Sequence, residues 1–111
     1  MSKRPTIVLV DNSAAVLELG EQALRTAGYI VLATSNPLEA IAVTRTLRVD
    51  LVVADPAEIA DLFLQPSPPT VLPILEAEDE TRLRGLRRPF SLDELLEGVE
   101  AAVATPAKLA F

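Results

Sequence analysis

Two short stretches of this chain are apolar and mostly β-branched, without the polar alternation of a half-exposed strand: TIVLV at residues 6–10 and LVVA at residues 51–54. Such strands are covered on both faces, as in parallel sheets that carry helices on either side. Each run is followed at once by an acidic residue, Asp11 after the first and Asp55 after the second. The chain is therefore expected to fold around a buried parallel sheet with carboxylates at two strand ends.

Strands and helices are predicted to alternate along the rest of the chain. Strands are predicted at 6–10, 29–35, 50–55, 70–75 and within 82–90, and helices at 13–28, 36–48, 56–65 and 91–104. This order fits one flavodoxin-like, doubly wound α/β domain with a five-stranded parallel sheet in the order 2-1-3-4-5. Residues 1–104 are assigned to the domain and residues 105–111 to a C-terminal tail.

Local signals mark the predicted helix ends. They are an N-cap at Ser13 or Asn12, a stop at Gly28, an Asn36-Pro37 start, a Pro56 start and the capping-box pair Ser91 and Glu94. The fourth strand contains Pro73, which has no N–H to donate, so this strand is expected to be short, bulged or unpaired on one side.

The crossover after the fourth strand is short. Only ten residues separate Leu75 from Leu86, fewer than a helical crossover between parallel strands usually takes. The fourth helix is therefore expected to have one or two turns, or to be a loop. The helix at 56–65 is expected to be short as well, because the PSPP sequence follows it.

Composition excludes several kinds of site. The chain has no cysteine and no histidine, which removes disulfides, thiolate or imidazole metal ligands and Ser-His-Asp triads. A net charge of −6 argues against nucleic-acid binding, despite a local cluster of Arg82, Arg84, Arg87 and Arg88. No apolar stretch is long enough to cross a membrane, and a cytoplasmic location is expected.

Asp11, Asn12 and Asp55 follow the strands next to the point where the strand order reverses, which is where ligands gather in such sheets. Two acids converging there can hold a hard cation such as Mg²⁺. Each polar residue, taken alone, is also a suitable helix cap. These residues are therefore candidates both for a metal site and for helix caps.

The sequences IVLVDN, AGYIVLATSNPLEAI, DLVVAD and RPFSLDELL together resemble the response-regulator receiver domain of two-component signalling, from Thr6 to about Ala104. The resemblance implies that Asp55 is equivalent to the phosphoacceptor aspartate of that family. It also implies that Asp11, Asn12, Asp55 and the backbone carbonyl of Ala57 correspond to the family's Mg²⁺ ligands. The Arg88-Pro89 peptide bond corresponds to a Lys-Pro bond that is usually cis.

Several positions depart from the family pattern. Asn12 replaces a carboxylate, so Mg²⁺ affinity should be weak or lost. Glu76 replaces a Ser or Thr, and no Ser or Thr lies anywhere between Val71 and Glu80. A carboxylate cannot donate a hydrogen bond to a phosphoryl group and repels it.

Two further departures concern the switch machinery. Arg88 replaces a lysine to which it is not equivalent; it is expected to neutralise Asp11, Asp55 and Glu76, as an internal cation standing in for the metal. Gly85 lies near the place of an aromatic switch residue. Arg87 points away from the cleft in this scheme, and the wider arginine cluster is interpreted as a solvated loop facing the acids at 78–80.

These observations favour a stand-alone pseudo-receiver, meaning a receiver-like module that binds protein partners without aspartyl phosphorylation. It would not be an enzyme and would need no cofactor. Its partners would be proteins of a signalling pathway, including a histidine kinase, or a second copy of the chain that uses apolar surface at Leu86 and Phe90. The alternative is a working phosphoacceptor that uses Asp55 and Mg²⁺. A flavodoxin-like domain that binds a small molecule ranks third, since the DNSAAV sequence is not a phosphate-binding loop.

Overall fold

Five parallel strands form one sheet in the described part of the chain, which comprises residues 4–79 and 84–104 of a computed structural model. They are β1 (Thr6–Val10), β2 (Ile30–Thr34), β3 (Leu51–Ala54), β4 (Thr70–Leu75) and β5 (Leu86–Arg87). Their order in the sheet is β2-β1-β3-β4-β5, with every pair parallel. The predicted fold class and strand order are confirmed.

Helices cover both faces of the sheet. The α-helices are α1 (Ala14–Thr26), α2 (Pro37–Thr46) and α3 (Leu92–Ala104), and a 3-10 helix spans Ala60–Leu64. Helices α1 and α3 pack on one face, and α2 with the 3-10 helix packs on the other. None of the helices in the described ranges is long and apolar enough to cross a membrane.

Strand β1 shows why the apolar runs do not alternate with polar residues. Ile7 and Leu9 belong to the core under α1 and α3, whereas Val8 and Val10 belong to the core under α2 and the 3-10 helix. All four side chains are buried, so both faces of the strand are covered by helices. A polar side chain on either face would lose its water without gaining a partner.

The predicted caps are present at three helices. Ser13 Oγ accepts a hydrogen bond from the backbone N–H three residues on at 3.3 Å, and Asn36 Oδ1 accepts one from the N–H two residues on at 3.0 Å. Ser91 and Glu94 each accept a hydrogen bond from the other's backbone N–H, both at 3.0 Å. Gly28 follows α1 with a φ of +102°, a backbone conformation that favours glycine.

The helix predicted at 56–65 is wrong in type and start. Residues 56–59 form turns, and the 3-10 helix occupies only Ala60–Leu64. Nine residues separate Pro56 from Pro66, and each proline restricts the backbone around it. A 3-10 helix is common in segments as short as these five residues. Helix α2 also ends at Thr46, two residues earlier than predicted.

Strand β4 accommodates Pro73 because its neighbour on that side is short. Pro73 aligns with Ala54 of β3, but β5 pairs with β4 only from Ile74 onward. In the described residues, the segment of β4 that contains the proline is thus paired on one side only, as predicted. Residues 76–79 and 84–85 contain no helix; residues 80–83, the rest of the predicted fourth-helix region, lie outside the described residues.

Strand β2 is an edge strand that a charged side chain covers. Ile30 donates its N–H toward β1, to Pro5 O at 2.9 Å, so the carbonyl of Val31 points outward from the sheet. Arg25 of α1 donates from Nη2 to that carbonyl at 3.1 Å and is paired with Glu21 at 2.8 Å. A guanidinium on an outward carbonyl protects the edge against pairing with another strand.

Tyr29, the one tyrosine in a chain without tryptophan, packs against the core under α1 and α3. Burial raises the pKa of its phenol, and the negative charge of Glu100 adds to the effect. Because the pKa is raised in the folded state, the phenol contributes stability below the ordinary tyrosine pKa of 10.0. That contribution is lost as the pH rises through the folded-state pKa.

We therefore expect tyrosinate absorbance to titrate above pH 10.0 in the folded protein and at the ordinary value in denaturant. The variant Glu100→Gln should lower the folded-state pKa only in part, because burial is the larger cause. A folded-state titration at the ordinary value would contradict the packing of Tyr29 against the core.

Candidate functional site

Asp11 follows β1 and is the most buried charged side chain at this end of the sheet, with 0% of the side chain exposed. One of its oxygens forms an ion pair with Nη2 of Arg88. The other accepts a hydrogen bond from the backbone N–H of Ser13 at 3.1 Å. Both carboxylate oxygens therefore have partners within the chain, and the charge of Asp11 is compensated without a ligand.

Arg88 lies directly after β5 and links the ends of three strands. Its backbone N–H donates to Leu75 O at 2.9 Å, at the end of β4. Its Nη2 pairs with Asp11 after β1, and its Nε lies 3.3 Å from Glu76 Oε1 after β4. The side chain of Arg88 is 26% exposed and that of Glu76 is 68% exposed. The predicted contact of Arg88 with the cleft carboxylates is present.

The electrostatics of Arg88 reflect these neighbours. Its hydrogen bond with Asp11 raises the pKa of the guanidinium; burial acts in the opposite direction, and the negative charges of Asp11, Glu76 and Asp55 raise it further. Because a raised pKa stabilises the charged form, Arg88 stays a cation wherever the protein is folded. The Arg88-Pro89 peptide bond is cis, as predicted.

Asp55 follows β3 and is half-buried. Leu9 of β1 and Val53 of β3 are aligned in the sheet. Asp11 lies two residues after Leu9 and Asp55 two residues after Val53, so the two aspartates follow the same end of neighbouring strands. Asp55 Oδ1 accepts a hydrogen bond from the backbone N–H of Ala57 at 2.9 Å. The aspartate thus closes the turn after β3 in the manner of a cap, although the 3-10 helix itself begins later, at Ala60.

The family resemblance implies a Mg²⁺ site formed by Asp11, Asn12, Asp55 and the backbone carbonyl of Ala57. Asn12 and Ala57 are exposed and electrically neutral. Asp11 is bound by a guanidinium, which would repel a cation placed beside it. Across residues 4–79 and 84–104, no group of three acidic side chains is placed to hold a metal ion. The residues present do not fit a resident Mg²⁺ of the expected kind.

Glu76 occupies the first position after β4. Ala54 of β3 aligns with Pro73 of β4, and β4 continues without a bulge to Leu75. This alignment defines the register of β4 against β3 and makes Glu76 the residue that follows the end of β4. A carboxylate lies at this strand end, and its side-chain partner is Arg88. Sequence reasoning placed both residues in the same cleft, and the structure brings them together.

Gly85 has a steric role that sequence reasoning missed. A Cβ added at this position would lie 2.4 Å from the carbonyl oxygen of Pro73, well inside contact distance. The segment before β5 therefore approaches the backbone of β4 so closely that only glycine fits. A glycine beside a short strand was the available signal.

Arg87 was also missed. It donates from Nη1 to the backbone carbonyl of Glu76 at 3.1 Å and to that of Asp79 at 2.7 Å. These two hydrogen bonds hold the segment after β4 in place. The arginine cluster had instead been predicted to be a solvated loop facing acidic side chains. Arg84 is exposed, in line with that prediction, while Arg82 and Glu80 lie outside the described residues.

The predicted apolar surface at Leu86 and Phe90 is wrong. Leu86 is 6% exposed and belongs to the core under α1 and α3, and Phe90 is half-buried against that core. Large apolar side chains are exposed at other positions on several elements of the described residues: Leu19, Ile30, Leu32, Leu38, Leu47, Phe63, Leu64 and Leu92.

The close approach at Gly85 leads to a stability prediction. Gly85→Ala should lower the free energy of unfolding by about 1–3 kcal/mol, because the methyl group meets a backbone oxygen that cannot move aside. Urea denaturation measures the difference. The matched control is Gly98→Ala in α3, where the added Cβ meets only side-chain ends, the nearest 3.2 Å away on Leu72, and where alanine favours the helix. Equal effects at both positions would contradict the steric argument.

No protein-family model and no curated protein sequence matches the chain at a significant level. Solved structures do match. A response regulator from Thermotoga maritima is 24% identical with a TM-score of 0.78, covering 93% of this chain and 100% of that chain. A signal receiver domain of an HD domain-containing protein from Pseudomonas fluorescens Pf-5 is 22% identical with a TM-score of 0.78, covering 94% and 90%.

The chemotaxis response regulator CheY4 of Vibrio cholerae is 19% identical with a TM-score of 0.75, covering 89% of this chain and 98% of that chain. These likenesses extend over nearly the whole of each chain, at identities that establish the fold rather than the chemistry. They agree with the five-stranded parallel sheet and its covering helices. The chain therefore has the fold of response-regulator receiver domains.

Proposed function

We propose that this protein is a pseudo-receiver: a module of signal transduction that acts in the cytoplasm by binding protein partners and does not need phosphorylation of Asp55. It has no enzymatic activity of its own and uses no cofactor. Its partners are proteins of a signalling pathway, which include histidine kinases and a second copy of the chain.

The observation that carries the proposal is the position of the Arg88 guanidinium between Asp11 and Glu76. In a phosphoacceptor site, a cation near the aspartate has to be free to meet the incoming phosphoryl oxygens. Here the cation is already bound to two carboxylates, one of them fully buried. A phosphoryl group at Asp55 would have to compete with both for it.

The surroundings of Asp55 also oppose phosphoryl transfer. One of its oxygens accepts the hydrogen bond from Ala57. Glu76 would place a negative charge near the dianionic product, and it has no hydrogen to donate to it when ionised. No Ser or Thr hydroxyl is present between Val71 and Glu80 to replace it.

The usual readout is altered too. Receiver domains that respond to phosphorylation move an aromatic side chain near β5, and here Gly85 is held against β4 by close backbone contact. The exposed apolar side chains on the α2 and 3-10 side, among them Phe63 at 47% and Leu64 at 82%, offer contacts that do not depend on that switch.

Intact-mass spectrometry after incubation with acetyl phosphate and Mg²⁺ tests the proposal. We expect no phosphoryl adduct, with the unchanged mass of Asp55→Ala as the reference. An adduct that forms on the native chain and disappears in Asp55→Ala would overturn the proposal. That outcome would establish the alternative, an active phosphoacceptor.

A gain-of-function variant tests which residues are responsible. Glu76→Thr combined with Arg88→Lys supplies the missing hydroxyl and replaces the guanidinium with a lysine. We expect this double variant to acquire a phosphoryl adduct under the same conditions, and to lose it when Asp55→Ala is added. Glu76→Gln serves as the control, since it removes the negative charge without supplying a hydroxyl. A double variant that folds but stays unphosphorylated would show that these two positions are not the cause.

A further inference from the structure

The cleft at the carboxyl end of the sheet holds more negative than positive charge. Asp11, Asp55 and Glu76 follow three adjacent strands, and all three act electrostatically on the single guanidinium of Arg88. Carboxylates that share a cleft destabilise one another unless a cation lies among them. In oxygen-lined clefts of this kind a divalent metal ion commonly supplies that charge.

Arg88 contacts the carboxylates as a bridging cation does. Two of its nitrogens reach two different carboxylates, Asp11 through Nη2 and Glu76 through Nε at 3.3 Å. The planar guanidinium carries several donors in a fixed geometry, so it can bridge two acids at once. It thereby connects the end of β1 with the end of β4.

The backbone fixes this cation in place. The N–H of Arg88 donates to Leu75 O at 2.9 Å, which anchors the residue beside β4 before its side chain crosses toward Asp11. A side chain held in this way is always present, whereas a metal ion must be taken up from solution against its own hydration. Charge compensation at the cleft is therefore independent of metal concentration.

We infer that Arg88 replaces the divalent cation in this cleft, so that the native protein neither binds Mg²⁺ there nor gains stability from it. This inference deepens the proposed function by naming what compensates the charge of the site, and it rests on that proposal only for the identity of the site. If the guanidinium is removed, the carboxylates of the cleft have no cation to compensate their charge. A hydrated Mg²⁺, which requires only one or two carboxylates, then becomes a stabilising ligand.

Urea denaturation with and without Mg²⁺ tests the inference. The native chain should unfold at the same urea concentration in millimolar Mg²⁺ and in chelator. The variant Arg88→Gln should have an unfolding equilibrium constant at least about tenfold larger, because it leaves Asp11 buried without its cation. Added Mg²⁺ should recover part of that loss in Arg88→Gln and none of it in the double variant Asp11→Asn/Arg88→Gln.

Two further variants separate charge at the cleft from other effects. Arg87→Gln removes an equal charge one residue away and should not make the protein sensitive to Mg²⁺. Arg88→Lys keeps the charge but not the two-acid bridge; it should be of intermediate stability and insensitive to Mg²⁺, and it provides a folded variant if Arg88→Gln does not fold.

Stabilisation of the native chain by Mg²⁺ would overturn the inference. So would an Arg88→Gln variant as stable as the native chain, or Mg²⁺ sensitivity that persists in Arg88→Lys. Failure of the proposed function gives a different result, because it appears as a phosphoryl adduct on Asp55 whatever the effect of Mg²⁺ on unfolding.

Discussion

The ion pair between Asp11 and Arg88 joins residues 77 positions apart in the chain. It connects the end of β1 to the segment after β5, a strand that lies three places away from β1 in the sheet. Because Asp11 is fully buried, removing Arg88 would leave a buried charge without a counterion, held only by the N–H of Ser13, which is strongly destabilising. The position of β5, only two residues long, depends heavily on this contact and on the backbone bonds beside it.

Such a pair is not an efficient source of stability, since two well-packed apolar side chains often do as well. Its advantage lies in specificity. A guanidinium that must reach Asp11 and Glu76 together allows only one register for the short β5 against β4. Arg87, which hydrogen-bonds to two backbone carbonyls of the segment after β4, and Gly85, which has no room for a Cβ, restrict the same segment further. Gly85, Arg87 and Arg88 together therefore constrain the position of the short β5.

The sequence was sufficient for the architecture because the signals there are local and redundant. The uninterrupted apolar runs predicted buried parallel strands, and short polar residues predicted the ends of α1, α2 and α3. The contacts of Arg88 with the cleft were predicted from family resemblance together with charge. Each of these features depends on a short stretch of sequence or on one residue at a defined position, so a pattern is enough to find it.

The remainder depended on tertiary distances that no pattern encodes. The helix predicted at 56–65 was wrong because a turn closed by Asp55 occupies its first residues, and only Ala60–Leu64 are helical, in 3-10 geometry. The need for glycine at position 85 arises from the backbone of β4, twelve residues earlier in the chain. Leu86 and Phe90 were expected at the surface, whereas Leu86 belongs to the core under α1 and α3 and Phe90 packs against it.

Asp55 illustrates why a retained aspartate is weak evidence of retained chemistry. Its carboxylate accepts a backbone hydrogen bond that closes the turn after β3, and Asp11 is held by an internal ion pair and the N–H of Ser13. Both acids thus have structural roles that do not depend on phosphoryl transfer, and replacing Asp11 would leave the guanidinium of Arg88 without its buried partner. The positions that the family resemblance assigns to a hydroxyl and a lysine hold Glu76 and Arg88 instead, and these two side chains pair with each other.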